Sequence, residues 1–234
     1  MKDTVVIIPV YNEEDSIGLV LDDIPLERII KVIVVNNAST DSTVEKSQRE
    51  FTEVVDQLQR GYGIACLKGI ETIHKYNPKY VAFLDGDYSD SPQELTDLIQ
   101  EIDKGYDLVI GSRVRGNNEP GALLPQAVFG NWLATRMMKY MLGGYEFTDL
   151  GPFRIIRYQS LIDIKMIDVD FGWTVEMQGK ALINNLKCSE IPVSYKKRIG
   201  VSKITGTLKG TILAGHKIIF TILKIWKNKL SQSF

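Results

Sequence analysis

The chain has 234 residues, 44% of them hydrophobic and 24% charged, with a formal net charge of −1. This fits one α/β domain with at most a small appendage. It leaves no overall basic field, so nucleic acid is not an expected partner. Cys66 and Cys188 lie far apart without metal-ligand spacing and read as reduced thiols, and the isolated His74 and His216 argue against a zinc site. No apolar run reaches the ~18 residues of a spanning helix. The start, Met1-Lys2-Asp3 followed by a strand pattern, lacks a signal-peptide layout, so a cytoplasmic protein is expected.

Taken in order, Thr4 to Val10 reads as a buried strand, followed by the polar turn Tyr11 to Ser16 and a helix through Ile17, Val20 and Leu21. Val32 to Val35 is a second strand. Its exit loop, Asn36 to Thr43, offers several N-caps for a helix expected through Val44 to Phe51. Two such βα units in succession indicate a doubly wound, mostly parallel sheet flanked by helices. Gln59-Arg60-Gly61-Tyr62-Gly63 opens the next helix. A glycine-rich helix start approaches a phosphate, or is simply a turn and cap.

Tyr80 to Leu84 is a short apolar run that ends in Asp85-Gly86-Asp87. An apolar run of this length fits a strand buried on both faces of a parallel sheet, and ligands bind beyond the carboxyl ends of such strands. Two hard oxygen donors there suit Mg²⁺ or Mn²⁺. Gly86 is expected to let the backbone turn so that both acids face one point. The competing reading is a plain Asp-Gly turn. Ser91, Pro92 and Glu94 form a helix start, as N-cap, N1 and N3.

Leu108 to Ile110 is another strand. Val114 to Pro125, rich in Gly, Asn and Pro, reads as a mobile loop beside the site. In the helix from Phe129 to Leu142, Trp132, Leu133, Met137 and Met141 are expected in the core. Phe171 to Met177 opens a helix in which Glu176 stands among apolar residues, which implies pairing or catalytic work. Ile191 to Tyr195 fits a short edge strand because of Pro192. Arg198 and Lys203 bracket a Gly, a Val and a Ser, which suits a loop closing on phosphates.

The segment from Thr205 to Lys229 is amphipathic. At ~100° per residue, Leu208, Ile212, Ile219, Ile222, Leu223 and Trp226 share one face, opposite Lys209, Lys217, Lys224 and Lys227. Two readings stand: a helix in the membrane interface, or one packed on the sheet or in a homo-oligomer.

With these residues in hand, the chain resembles glycosyltransferase family 2, of the GT-A fold, and within it the dolichyl-phosphate mannosyltransferase and glucosyltransferase group. Pro9 to Glu14 resembles the family's first nucleotide-binding loop and Asn36 to Asp41 its second, where Asn36 and Asn37 replace the usual acids. Asp85-Gly86-Asp87 matches its metal-binding D-x-D, and Gly111-Ser112-Arg113 a segment whose Arg contacts phosphate. Thr148-Asp149 with Phe153-Arg154, and Arg198-x-Gly200-x-Ser202-Lys203, match two further segments.

The resemblance implies a catalytic domain over residues 1–204 and an amphipathic helix over 205–234. It implies a UDP- or GDP-sugar donor held by Pro9, Tyr11, Asn12, Glu13, Asn36, Asn37, Arg60, Asp85 and Gly86. Asp85 and Asp87 would hold the metal, with Arg198 and Lys203 at the leaving diphosphate. Arg113, helped by Arg154, would orient a polyprenyl-phosphate acceptor at the cytoplasmic face of a membrane. A hydroxyl acceptor would need a base, Asp149 or Glu176. A nucleotide-sugar-binding module without catalysis is the remaining alternative.

Overall fold

The computed structural model of the protein describes residues 1–200 and 208–232. Its strands are β1 (Thr4–Val10), β2 (Ile29–Asn36), β3 (Thr52–Asp56), β4 (Tyr80–Phe83), β5 (Leu108–Ser112), β6 (Arg154–Arg157) and β7 (Cys188–Pro192). They form one sheet in the order β3-β2-β1-β4-β6-β5-β7. Only β6 runs antiparallel to its neighbours within that sheet. The doubly wound, mostly parallel sheet read from the sequence is present.

The helices are α1 (Ile17–Asp22), α2 (Thr43–Lys46), α3 (Tyr62–Ile73), α4 (Leu95–Asp103), α5 (Pro125–Leu142), α6 (Tyr158–Asp163), α7 (Trp173–Ile183) and α8 (Leu208–Gln232). Val5 and Ile7 face a core shared with α3, α5, α7 and α8, whereas Val6 and Ile8 face one shared with α1 and α4. Both faces are covered, so β1 reads as an unbroken apolar run.

β1 lies between β2 and β4, so the chain reverses its winding there and opens a crevice at their carboxyl ends. β1 pairs with β2 as far as Val10↔Asn36 but with β4 only as far as Ile7↔Phe83. Pro9 therefore sits in a central strand at a point where β4 has already ended, so its missing N–H interrupts no pairing on that side.

Several local expectations change. The helix expected through Phe51 stops at Lys46, and Thr52–Asp56 instead adds β3 at the sheet edge. β7 is an edge strand as expected, but it ends at Pro192 instead of running to Tyr195. Ser91 makes no side-chain cap, and Glu94 instead accepts from the Ser194 N–H at 2.8 Å. The loop after β5 is pinned to the segment after β7, with Glu119 N to Tyr195 O at 2.8 Å and Tyr195 N to Asn117 O at 3.0 Å.

In α5, Met137 and Met141 pack against the core as expected, but Trp132 is 54% exposed and Phe129 62%. In α8, Ile222 and Ile225 are buried against the neighbouring helices, while Phe220, Leu223 and Trp226 face outward. The helix thus packs on the domain and still presents an apolar outer side.

Arg154, expected near an acceptor phosphate, is fully buried on β6. It donates to the carbonyl oxygens of Thr174, Leu150 and Gly151, and burial pulls its guanidinium down to about 10. It ties the 150–151 turn to α7. Arg154→Met should cost ~3 kcal/mol in urea unfolding, because buried carbonyls lose their donor. An unchanged midpoint would show that those carbonyls need no partner.

Candidate functional site

The crevice forms a cavity of about 390 Å³. Of the residues picked out from the sequence, Pro9, Tyr11, Glu13, Asn37, Arg60, Asp85, Gly86, Asp87 and Arg198 line it. Asn12 and Asn36 do not line it. Lys203 falls outside the described residues, as does Ser202. Tyr62, Asp170 and Phe171 also line the cavity, and the sequence reading missed them. The Gly61–Gly63 pair was the available signal for Tyr62. Asp170 and Phe171 come from a loop whose approach is visible only in three dimensions.

Asp85 and Asp87 follow β4 directly. Burial and the neighbouring charge of Asp87 push Asp85 up to about 7. Its Oδ1 accepts from the Tyr62 hydroxyl at 3.0 Å. Asp87 Oδ1 accepts from Ser89 N and Oγ, and its Oδ2 pairs with Arg198 Nη2 at 3.0 Å. The same Nη2 reaches Glu13 Oε1 at 3.3 Å. Arg198 thus joins the loop after β1 to the acids after β4. Two carboxylates crowded in a cleft, one held partly protonated by the other, are a donor set that fits a hard divalent cation sharing phosphate oxygens and water.

Gly86 has a different reason from the one expected. Its φ is not positive; a Cβ there would lie 2.6 Å from Val10 Cγ1. The left-handed turn falls instead on Tyr88, at φ 60°. The glycines at the start of α3 likewise serve close packing. Ile64 N donates to Val169 O at 2.9 Å, and a Cβ on Gly63 would strike the backbone of Asp168 to Asp170. That helix end is occupied by the loop that brings Asp170 and Phe171 to the cavity.

Asn37 is committed to the backbone, and Asn36 to the Asp56 carboxylate and one backbone N–H. Asn37 donates to the carbonyls of Gln57 (3.0 Å) and Gln59 (2.7 Å) and accepts from Gly61 N (2.9 Å). Asn36 bonds Asp56 and Ser39 N. A carboxylate at 37 could not donate to those carbonyls, and one at 36 would face the Asp56 carboxylate, which explains amides where acids were expected. Asn12, at φ 51°, exchanges hydrogen bonds with Thr40 and ties the first loop to the second. The Arg60 guanidinium lies 3.1 Å from the Tyr11 ring centroid, forming a flat wall.

Beside the cavity, Arg113 is gripped by Asp149 through Nε (2.8 Å) and Nη2 (2.7 Å) and packs on the Tyr195 ring. Asp149 also accepts from the backbone N–H of Arg113 and of Leu150, and from Asn131 Nδ2 at 2.7 Å. Burial alone would raise it, but the Arg113 charge outweighs this and holds it below the usual carboxylate range. Its oxygens are filled, so it positions Arg113 and is not a base. Glu176 is no base either: it accepts from Ile167 N and Asp168 N and pairs with Lys180 at 2.8 Å. Asp90, which the sequence reading passed over, is buried with no hydrogen-bond partner among the described residues. Burial and the Asp85 charge push its carboxyl well above the ordinary carboxylate range, against the opposing pull of the Arg113 charge.

The model for glycosyl transferase family 2 covers residues 5–165. The chain belongs to that family. An uncharacterised glycosyltransferase of Mycobacterium tuberculosis is 34% identical over 95% of both chains. A dolichyl-phosphate hexose transferase of Haloferax volcanii is 27% identical over 95% of both. The crystal structure of glucosyl-3-phosphoglycerate synthase from M. tuberculosis with Mn²⁺, UDP and phosphoglyceric acid superposes with a TM-score of 0.73 at 18% identity, covering 96% of this chain and 78% of that one. The shared fold is GT-A, as the sequence implied.

The raised Asp85 sets a pH test on this glycosyltransferase. Its folded value lies above its ordinary value of 3.8, so the apoprotein loses stability as pH rises toward 7. A cation must displace that proton below 7 but not above. Mn²⁺ should therefore raise the melting temperature more at pH 8 than at pH 6, and Asp85→Asn should remove the difference. An equal shift at both pH values would place the cation elsewhere.

Proposed function

We propose that the protein is an inverting hexosyltransferase that moves a sugar from a UDP- or GDP-linked donor to a polyprenyl phosphate. The donor lies along Pro9, Tyr11, Glu13, Asn37 and Arg60, with its diphosphate toward Asp85 and Asp87. Asp85 and Asp87 would hold a Mg²⁺ or Mn²⁺ ion, the structural neighbour having been crystallised with Mn²⁺ and UDP, and the ion would supply charge compensation for the departing diphosphate. Arg198 adds a guanidinium beside the same oxygens, and Lys203 lies in the adjoining segment.

The observation that carries the acceptor reading is the Arg113–Asp149 pair. It is a guanidinium held at two points by Asp149, 13% exposed, whose charge is felt at Asp85. Arg113 suits a phosphate acceptor. The acceptor's anionic oxygen forms the new bond to the anomeric carbon from the face opposite the nucleotide. The bond to the diphosphate breaks with its electron pair, and no base is required. The relative named as a dolichyl-phosphate hexose transferase supports the same reading over the whole chain length. α8 would lie against the cytoplasmic face of the membrane that holds the acceptor. Among the described residues no helix is long and apolar enough to cross it.

A second reading has its own support. Asp170 lines the cavity, where its carboxylate is placed to serve a hydroxyl acceptor as base, and the structural neighbour was crystallised with phosphoglyceric acid. A panel of UDP- and GDP-hexoses with Mn²⁺ and either a short polyprenyl phosphate or phosphoglycerate, read by product mass, separates the two. Product only with phosphoglycerate would refute the polyprenyl reading. Binding of nucleotide sugar without product from any acceptor would leave a non-catalytic module.

Asp87→Ala should lower transfer at least ~100-fold with the circular dichroism spectrum unchanged. Arg113→Ala should raise the acceptor KM ~10-fold or more and leave the donor KM within about twofold. Equal effects on both substrates would remove Arg113 from the acceptor site.

A further inference from the structure

Helices α5 and α8 pack against each other, and Lys229 Nζ donates to Leu142 O at 2.6 Å. Packed helices lie ~8–10 Å apart, so their outer faces are neighbours. On α5 the outer face carries Phe129, Trp132 and Tyr140, which are 54–81% exposed. The Phe129 and Trp132 rings are 5.8 Å apart. On α8 it carries Phe220, Leu223 and Trp226. Large aromatics clustered in the open mark a contact surface, whereas isolated ones would not.

Charge identifies the kind of surface. The chain as a whole is nearly neutral, yet neither helix contains an acidic residue. Arg136 and Lys139 stand on the outer side of α5, and Lys224 and Lys227 on that of α8. Glu146, after α5, meets Arg136 and Lys139 at 3.0 and 3.8 Å, but these are exposed pairs of little energy. A second copy of the chain on this face would set like charges against one another. An anionic lipid surface would take the aromatic rings into its interfacial layer and the cations among its headgroups.

The same turn of α5 reaches the site. Asn131, buried and next to Trp132, donates to Asp149, which holds Arg113. One side of this turn supports the guanidinium and the other side faces outward.

We infer that α5 and α8 together form a docking face for an anionic membrane, with Phe129 and Trp132 as its anchors nearest the site. The two-helix face deepens the polyprenyl-phosphate reading, and rests on it for the reason an acceptor would arrive at Arg113. Lipid binding itself is measured without any acceptor. The full chain is floated with phosphatidylcholine vesicles, with and without phosphatidylglycerol. Wild type should float with the anionic vesicles. The Phe129→Ser/Trp132→Ser pair and the Lys224→Glu/Lys227→Glu pair should each partition at least about tenfold less, with unchanged melting temperatures.

The inference is overturned if wild type stays with neither vesicle, if both variants float like wild type, or if sedimentation velocity shows the substitutions splitting a dimer instead. Normal flotation with no transfer to polyprenyl phosphate would refute the acceptor assignment and leave the docking face standing.

Discussion

Two carboxylates at the end of one buried strand repel each other, and much of the surrounding architecture answers that repulsion. Asp85 is partly protonated and hydrogen-bonded to Tyr62, and Asp87 is held by Ser89 and by Arg198. Because Arg198 also reaches Glu13, the same cation ties the loop after β1 to the acids after β4. The cost of crowding like charges is tolerable only while positive charge can enter the gap. A site of this kind is tuned for a ligand that brings a cation and phosphates together.

A second carboxylate network has the opposite character. Asp149 receives donors from Arg113, Asn131 and Leu150, so it is saturated and fixed in charge. Glu190 underpins it by accepting from Thr148 N and Asp149 N. The first network can accept a new partner, and the second holds a guanidinium in one place. A glycosyltransferase site gains from both behaviours side by side, one able to admit a ligand and one already fixed.

Much of this was legible in the sequence. The apolar runs at Thr4–Val10 and Tyr80–Phe83 and the polar loops after them placed the crevice, because strands covered on both faces leave a plain signal. The acids and Arg198 were readable because charge is costly next to such strands. What failed did so for three-dimensional reasons. β3 is a short edge strand whose pairing comes from β2. Gly86 and Gly63 answer to neighbours distant in sequence, Val10 and the 168–170 backbone. Trp132 was expected in the core because its spacing fits a helix face, but spacing does not say which of two faces meets the sheet. Asp149 looked like a base because its partners lie just past β5 and on α5.

The loop carrying Asp170 and Phe171 is held from two sides. Gly63 lets it close on α3, and from behind Lys217 of α8 pairs with Asp168 at 3.0 Å while Gly172 sits against Thr221. The terminal helix is therefore a buttress for the roof of the cavity as well as an outer surface. Any pull exerted on the helix from outside has a short mechanical route to the cavity wall.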